Sequence, residues 1–259
     1  MSKSGSIHPS SIVSSDAKIG DQVKIGPYSV IEEDVLIGDN CRIGNFVTLK
    51  KGTRLGNGCR VFHGVDIGEE PQDFKYSGEP TTVEIGENVT LREYVTIHRG
   101  TKMREKTVVG DNCYLMAYVH VGHDSILGDN VIIANGAQLG GHVEVDDHTF
   151  IGGLVAVHQF VKIGKYVCVG GGFRVVQDVP PFILVAGEPL KFSGLNSVGL
   201  RRKNFNTSIR NTIKGTYQLL FDSNNNVSQA VEEINKAYPD SQEAKEIISF
   251  VENSNRGIV

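Results

Sequence analysis

An aliphatic residue recurs at every sixth position through most of this chain. The series runs without a miss from Ile7 to Ile67, resumes at Ile85, and continues to Val175 with one further interruption. Small or β-branched residues stand two positions before most of these aliphatic residues, and Gly often follows them. Such a hexapeptide period is the signature of a β-solenoid, in which each unit forms one short strand and one corner.

The period predicts a triangular coil in which three units of six close one turn of roughly 18 residues. The aliphatic and small positions point inward, and equivalent positions on successive turns stack at about 4.8 Å. We therefore expect a mainly β fold, a left-handed parallel β-helix over residues 1–190. The left hand is taken from the resemblance to known hexapeptide proteins, since ordinary parallel crossovers are right-handed.

The end of the solenoid is predicted by proline. Pro180 and Pro181 cannot continue a strand ladder, so the coils are expected to end near residues 178–181. Residues 191–259 are expected to form an α-helical domain that covers the last coil, because a terminal coil needs covering.

Within that domain the apolar period changes from six to the helical spacing. It predicts three helices, over residues 207–222, 228–237 and 241–253. Ser228 and Ser241 are the predicted N-caps of the second and third helices.

Two interruptions of the hexapeptide period predict loops at residues 69–83 and 98–107. The first is polar and contains two prolines, and the second is rich in charge. Loops that leave a regular solenoid commonly carry function, so we expect the site to involve them.

Composition and charge narrow the possible functions. The formal net charge of −4 argues against nucleic acid as a partner. No apolar run is long enough for membrane insertion, and the first residues lack the apolar core of a signal peptide. Cys41, Cys59 and Cys113 fall at the inward small position, so we expect reduced thiols in the core of a cytoplasmic protein.

The eight histidines all lie outside the inward frame. Stacking at 18 residues puts His123, Gly141 and Gln159 in one column on one edge of the prism. His142 and His158 adjoin that column, and Asp124 and His120 lie beside His123. Histidines, an amide and a carboxylate that converge on one outside edge predict a functional site.

Two chemistries fit such an edge. A histidine held by a carboxylate, here His123 with Asp124, acts as a general base on a hydroxyl or amine, and the Gly141 N–H could stabilise an oxyanion. Alternatively, three histidines could bind zinc, as in a γ-class carbonic anhydrase, which uses the same type of solenoid. The spacing of His120 and His123 differs from the ligand pattern of that family, so the base is preferred and no metal is expected.

Several segments resemble one family, the UDP-N-acetylglucosamine acyltransferases that open lipid A synthesis in Gram-negative bacteria. Among them are His-Val-Gly-His-Asp at residues 120–124 and Val-His-Gln-Phe at 157–160. The resemblance covers nearly the whole chain, including the helical tail. The matching segments are residues 72–81, 92–101, 120–124, 140–143, 153–160, 177–181 and 194–196.

The resemblance implies a role for each matching residue. His123 would be the general base, Asp124 its orienting carboxylate and the Gly141 N–H the oxyanion donor. The first loop and the edge would contact the sugar and the acyl chain, and Arg202 would meet the phosphates of the nucleotide. The implied substrate-binding residues are Gln72, Asp73, Lys75, His98, His120, His142, His158, Gln159, Gly171, Asn196 and Arg202.

The same resemblance implies the partners. The family is a homotrimer with active sites in the clefts between prisms, and it transfers a 3-hydroxyacyl chain from acyl carrier protein to the 3-position of UDP-N-acetylglucosamine. No cofactor is implied, because the donor itself carries 4′-phosphopantetheine. Basic residues would dock the acidic carrier protein. The candidates are Lys162, Lys165, Arg174, Lys191, Arg201, Arg202 and Lys203.

Two points of specificity stay open. Residues 62–64 and 195–199 look more like members that accept a 3-amino sugar, so transfer to an amine is the alternative to transfer to a hydroxyl. Gly171 lies in the region where the family closes the far end of its acyl groove, and the missing side chain predicts room for a longer chain.

Overall fold

A computed structural model describes residues 5–221 and 226–259. All of the described strands except the last one pair in three parallel ladders, which are the three faces of a triangular prism. Each hexapeptide contributes a strand to one face, and the next hexapeptide contributes to the next face. Strands on one face pair in register with the equivalent strand a turn later, as Lys24 does with Arg42.

We number the faces in chain order. Face 1 contains Ser6–Ile7, Lys24–Ile25, Arg42–Ile43, Arg60–Val61, Thr90–Leu91, Tyr114–Leu115, Ile132–Ile133, Phe150–Ile151, Cys168–Val169, Ile183–Ala186 and Lys191–Leu195. Face 2 contains Ile12–Val13, Val30–Ile31, Thr48–Leu49, Asp66–Glu69, Thr96–His98, His120–Val121, Gln138–Leu139, Ala156–Val157 and Arg174–Val175. Face 3 contains Lys18–Ile19, Leu36–Ile37, Thr53–Leu55, Thr82–Ile85, Lys106–Val109, Ile126–Leu127, Glu144–Val145 and Lys162–Ile163.

The core is the column of inward side chains, as the period predicts. From Ile25 onward the aliphatic positions are almost completely buried, and so are the small positions, including Cys41 and Cys59. The cysteines are free thiols. Ile7 is an exception at 50% exposure, because its coil has no described coil beneath it.

The coils end later than the prolines predict. Pro180 and Pro181 lie at the corner between face 3 and face 1, where no ladder N–H is required, and Cys168 still pairs in parallel with Leu184. The chain then reverses, and Lys191–Leu195 pairs antiparallel with Ile183–Ala186. This last strand lies on the helical side of the boundary expected at residue 190, and the first helix begins at Ser197.

Four helices follow, α1 (Ser197–Arg202), α2 (Thr207–Phe221), α3 (Val227–Ala237) and α4 (Gln242–Glu252). The short α1 was not predicted, and Asp222, the predicted end of the first long helix, lies outside the described residues. Ser241 caps α4 as predicted. The prediction that Ser228 caps α3 is wrong, because Asn226 is the cap and forms a reciprocal capping box with Gln229.

The helices attach to the open end of the prism by apolar packing that is continuous with the core of the prism, and by polar contacts. The Tyr217 hydroxyl donates a hydrogen bond of 2.6 Å to the Pro181 carbonyl, and its ring is 1% exposed. Lys165 pairs with Glu246 of α4 at 2.7 Å. None of the helices in the described ranges is long and apolar enough to cross a membrane.

The Tyr217 contact makes a testable prediction for stability. Tyr217→Phe leaves the buried Pro181 carbonyl without its donor, which should lower the free energy of unfolding by about 1–3 kcal/mol. Tyr238→Phe is the control, because the Tyr238 hydroxyl forms no hydrogen bond with the described residues. Chemical denaturation should separate the two variants, and equal midpoints would contradict the assigned role of this bond.

Candidate active site

Both loops leave the prism at the same corner, the one between face 2 and face 3. The first follows Asp66–Glu69 and rejoins at Thr82–Ile85. The second follows Thr96–His98 and rejoins at Lys106–Val109. The predicted column of His123, Gly141 and Gln159 stands on this corner too, between the strands of the two faces. The fold therefore brings the loops and the column together at one edge, which we call the catalytic corner.

His123 and Asp124 form the contact that the sequence predicts. His123 Nδ1 lies 2.7 Å from Asp124 Oδ2, and the carboxylate side chain is fully buried. Asp124 can face its sequence neighbour because its backbone is left-handed, with φ of 60°. Burial, the largest influence, raises the pKa of Asp124, but hydrogen bonds from His123 and Thr101 outweigh it and the net pKa is lowered. The pair is thus an ionised carboxylate that orients an imidazole.

His142 is a second imidazole at the same carboxylate. Its Nε2 lies 3.6 Å from Asp124 Oδ2, and its ring stands edge-on to that of His123 at 5.0 Å. The other side of the ring stacks on Phe160 at 4.4 Å. Burial lowers the pKa of His142, so this ring tends to be neutral.

Gly141 lies directly against the His123 ring. A Cβ at this position would stand 2.6 Å from His123 Nε2, so any side chain would displace the imidazole. The Gly141 N–H has no hydrogen-bond acceptor among the described residues, although its neighbours in the coil are paired. A free donor beside the imidazole is the geometry an oxyanion site needs.

His98 and His120 form a second pair on face 2. Their rings meet edge-on at 4.8 Å, and His120 Nδ1 lies 2.8 Å from Thr96 Oγ1. His98 Nδ1 is buried without a hydrogen-bond partner among the described groups. Burial, helped by repulsion from His98 and His123, lowers the pKa of His120 to about 4. An unpartnered buried nitrogen in a cleft is available to a ligand.

Two cavities meet at His123. The inner cavity, of about 440 Å³, runs along face 2. The outer cavity, of about 720 Å³, lies between the two loops. Gln72, His123 and Gln159 line both. The inner cavity adds His98, His120, His158, Gly141 and the apolar Leu139, Ala156 and Val157. The outer cavity adds Asp73, Lys75, His142, Phe160 and residues of the second loop.

The predicted residues that lie elsewhere are Gly171, Asn196 and Arg202. Gly171 is at the corner between face 1 and face 2. Asn196 caps α1, and its amide donates to the Tyr166 carbonyl at 2.8 Å, at the corner between face 3 and face 1. Arg202 is the exposed last residue of α1. Within one chain these residues are therefore not brought to His123.

The zinc alternative is only partly matched by the geometry. Among the described residues, His123, Asp124 and His142 have ligand atoms within 4.8 Å of one another, so two histidines rather than three converge. His120 and His158 are not in the group.

Sequence reasoning missed the residues that hold Asp124. The backbone N–H groups of Thr101 and Arg104 donate to Asp124 Oδ1 at 2.9 and 3.2 Å. Backbone donors have no residue-type signature, so only the position of the second loop indicated them.

A prism of hexapeptide repeats with a histidine–aspartate pair beside a free glycine N–H is the arrangement of a hexapeptide acyltransferase. Family profiles agree with this class. The profile described as UDP N-acetylglucosamine O-acyltransferase, domain 2, matches residues 178–259, and the bacterial transferase hexapeptide profile matches residues 16–51 and 106–141.

Relatives extend the likeness to the whole chain. The chain is 39% identical to an acyl-[acyl-carrier-protein]–UDP-N-acetylglucosamine O-acyltransferase from Thiobacillus denitrificans. The alignment covers 98% of this chain and 98% of that relative. It is 40% identical to the UDP-N-acetylglucosamine acyltransferase structure from Bacteroides fragilis, with a TM-score of 0.96 over 97% of this chain and 99% of that one. It is 37% identical to the corresponding structure from Acinetobacter baumannii, with a TM-score of 0.94 over 98% of this chain and 99% of that one. The chain belongs to the UDP-N-acetylglucosamine O-acyltransferase family, and its fold is the left-handed parallel β-helix.

The buried histidines predict a dependence of stability on pH. An unfolded histidine titrates near 6.5, and His120 titrates near 4 in the folded protein, so below about pH 6.5 the unfolded chain binds more protons. The free energy of unfolding should therefore fall by about 2 kcal/mol between pH 7 and pH 5 through His120 alone. In His120→Gln the free energy of unfolding should fall by about 2 kcal/mol less between these two pH values. Urea denaturation at pH 7 and pH 5 measures the difference. The exposed His8→Gln is the control, and an unchanged loss in His120→Gln would contradict the assignment.

Proposed function

We propose that this protein transfers a 3-hydroxyacyl chain from acyl carrier protein to the 3-hydroxyl of UDP-N-acetylglucosamine, the first step of lipid A synthesis. The observation that carries the proposal is the His123–Asp124 pair beside the free Gly141 N–H, in a chain of this family. The curated relatives are named as O-acyltransferases, which favours the hydroxyl over the amine as acceptor.

The mechanism follows from the tautomer of His123. Its Nδ1–H donates to the ionised Asp124, so Nε2 carries the lone pair next to Gly141. Nε2 removes the proton of the sugar 3-hydroxyl as the oxygen attacks the thioester carbon. The carbonyl oxygen becomes negative and accepts the Gly141 N–H. The tetrahedral intermediate then loses the phosphopantetheine thiolate, which takes the proton from the imidazolium, and the ester remains on the sugar.

The two cavities suit the two groups that the new ester bond joins, the sugar and the acyl chain. The outer cavity is polar where the first loop meets the corner, and we assign it to the sugar, with Asp73, Lys75 and His142 as its contacts. The inner cavity has apolar walls, and we assign it to the acyl chain. Its polar lining would bind the 3-hydroxyl and the acyl carbonyl region; these residues are Gln72, His98, His120, His158 and Gln159.

A homotrimer would complete the site. If face 1 of one prism packs on face 2 of the next, three such contacts close a ring with the corner between these faces at the axis. The outer edges that meet are then the catalytic corner of one chain and the Asn196–Arg202 corner of its neighbour. Arg202 would thereby reach the nucleotide phosphates.

Charges and exposed rings support this packing. Lys24, Arg42 and Arg60 stack on face 1, and within the described ranges they form no ion pair. Face 2 presents acidic residues at Glu32, Asp66 and Glu69 beside Lys50. Exposed aromatic rings line the corner proposed for the axis. They are Tyr28, Phe46, Tyr94 and Tyr118.

Carrier protein docking is assigned to the cations that remain unpaired. Lys162, Lys165 and Arg174 pair with acidic residues of their own chain and are poor candidates. Among the residues described, the other candidates form no salt bridge, and an acidic helix could pair with them. These are Lys191, Arg201 and Lys203, because Arg202 is assigned to the nucleotide phosphates. No metal is needed for any step, and the buried free thiols of Cys41, Cys59 and Cys113 are in keeping with a cytoplasmic location.

The test of the function is acyl transfer from 3-hydroxyacyl carrier proteins to UDP-N-acetylglucosamine, with the 3-amino sugar as a second acceptor. His123→Ala removes the base and should lower kcat by about 10²–10⁴-fold. His8→Ala, an exposed histidine on the first coil, should retain full activity. Turnover only with the amine would establish the alternative acceptor, and no turnover with either acceptor would exclude the acyltransferase assignment.

Gly171 predicts the length of the acyl chain. Its φ is not in the left-handed region, and a Cβ there would lie 3.1 Å from the nearest atom, the Gly153 carbonyl oxygen, so a side chain fits with a small shift. Gly171→Met should shorten the preferred donor by several carbons by filling the far end of the groove. Donors of several lengths, competed in one assay, measure the preference. Gly171→Ala is the control, and an unchanged preference in Gly171→Met would contradict a role of this position in setting the acyl chain length.

A further inference from the structure

The hydrogen bonding of Asp124 differs from that of the residues stacked above it. Asp124, His142 and Phe160 occupy the same left-handed position in three successive coils, with φ of 60°, 61° and 65°. The N–H of His142 donates to the His123 carbonyl below it at 2.8 Å, and that of Phe160 donates to the Gly141 carbonyl at 3.0 Å. Below Asp124 the chain leaves the prism as the second loop, so this regular acceptor is missing.

Thr107 replaces the missing carbonyl. Its Oγ1 accepts the Asp124 N–H at 2.8 Å. Both residues are 0% exposed, so water cannot serve as the acceptor. Thr107 occupies an inward small position, two residues before Val109, where most coils carry an apolar side chain. A hydroxyl in this position therefore fixes the backbone of the residue that orients His123.

The second loop holds the other end of Asp124. The N–H groups of Thr101 and Arg104 occupy Oδ1, which leaves Oδ2 for His123 and His142. The Arg104 guanidinium also bonds the Asp124 carbonyl and the carboxylate of Glu144, which ties the loop to face 3. Asp124 is thus held at its N–H, its carbonyl and both carboxylate oxygens.

We propose that Thr107 is a positioning residue for the transfer reaction, and that it forms, with the amides of the second loop, a receptor that fixes the Asp124 carboxylate toward His123. The proposal rests on the proposed function. It assigns the second loop a role in aligning the base, in addition to the lining of the outer cavity that it shares with the first loop.

The test compares Thr107→Val, which keeps the shape and loses the hydroxyl, with Thr107→Ser, which keeps the hydroxyl. Misalignment of the base should lower kcat of Thr107→Val roughly 100-fold, with KM for both substrates within about 3-fold of wild type. Thr107→Ser should restore kcat to within about 3-fold of wild type, because the acceptor is present again.

Thr149→Val is the matched control. Thr149 is equally buried, and its hydroxyl donates to the Gly164 carbonyl at 2.8 Å and accepts the Val167 N–H at 3.3 Å, away from the catalytic corner. It should lose comparable stability, measured by thermal unfolding, and retain kcat. Equal kcat in the two valine variants, equal losses in Thr107→Val and Thr107→Ser, or a rise in KM at unchanged kcat would each overturn the proposal.

A second variant addresses the loop amides without touching Thr107. A Cβ on Gly100 would stand 2.3 Å from the Lys106 backbone nitrogen, so Gly100→Ala forces the two ends of the loop apart. It should lower kcat even if Thr107→Val fails to fold, and an unchanged kcat would overturn the role of the loop. Absence of turnover by the wild-type protein would instead remove the proposed function, and this inference with it.

Discussion

The in-register parallel ladder between successive coils is the constraint on which the rest of this structure depends. The backbone N–H groups and carbonyls of each coil pair with those of the coils above and below, and most side chains stand above their equivalents one turn away. Inward positions become columns of aliphatic and small residues, and corner positions become columns that share one backbone conformation. The position of a residue in the repeat therefore determines its backbone conformation, and only its side chain is free to vary.

The catalytic corner depends on the backbone conformation of the repeat, and it departs from the repeat only at the second loop. The left-handed position directs Asp124 toward His123, and the same position one coil above directs His142 toward the same carboxylate. Asparagine and aspartate tolerate this conformation better than most residues, so an aspartate here costs little. Below Asp124 the second loop replaces the regular corner, and it supplies the donors that a regular coil could not direct at a carboxylate. The site is built where the repeat provides orientation and its interruption provides hydrogen-bond donors.

This division explains how much the sequence alone could predict. The inward frame and the column of His123, Gly141 and Gln159 follow from counting, because a strict period fixes both. The long helices follow from apolar spacing, whereas the six residues of α1 are too few to display one. Asn226 and Ser228 are both good N-caps, and the choice between them depends on the reciprocal bond with Gln229. The receptor for Asp124 consists largely of backbone N–H groups of Thr101 and Arg104, which any residue except proline would provide, so no residue type in the sequence indicated it.

Burial acts in opposite directions on the charges of the site. Desolvation disfavours every buried ion, and it lowers the pKa of His98, His120 and His142, which favours neutral rings. The same desolvation would neutralise Asp124, but donors on both of its carboxylate oxygens reverse the effect, and its pKa is lowered. One anion is thus kept at the centre of the cluster, 2.7 Å from His123 Nδ1 and 3.6 Å from His142 Nε2. His123 is the ring that Asp124 orients, because the short hydrogen bond is made to this ring alone. The orientation of one base among several similar rings therefore depends on how firmly the second loop holds a single carboxylate.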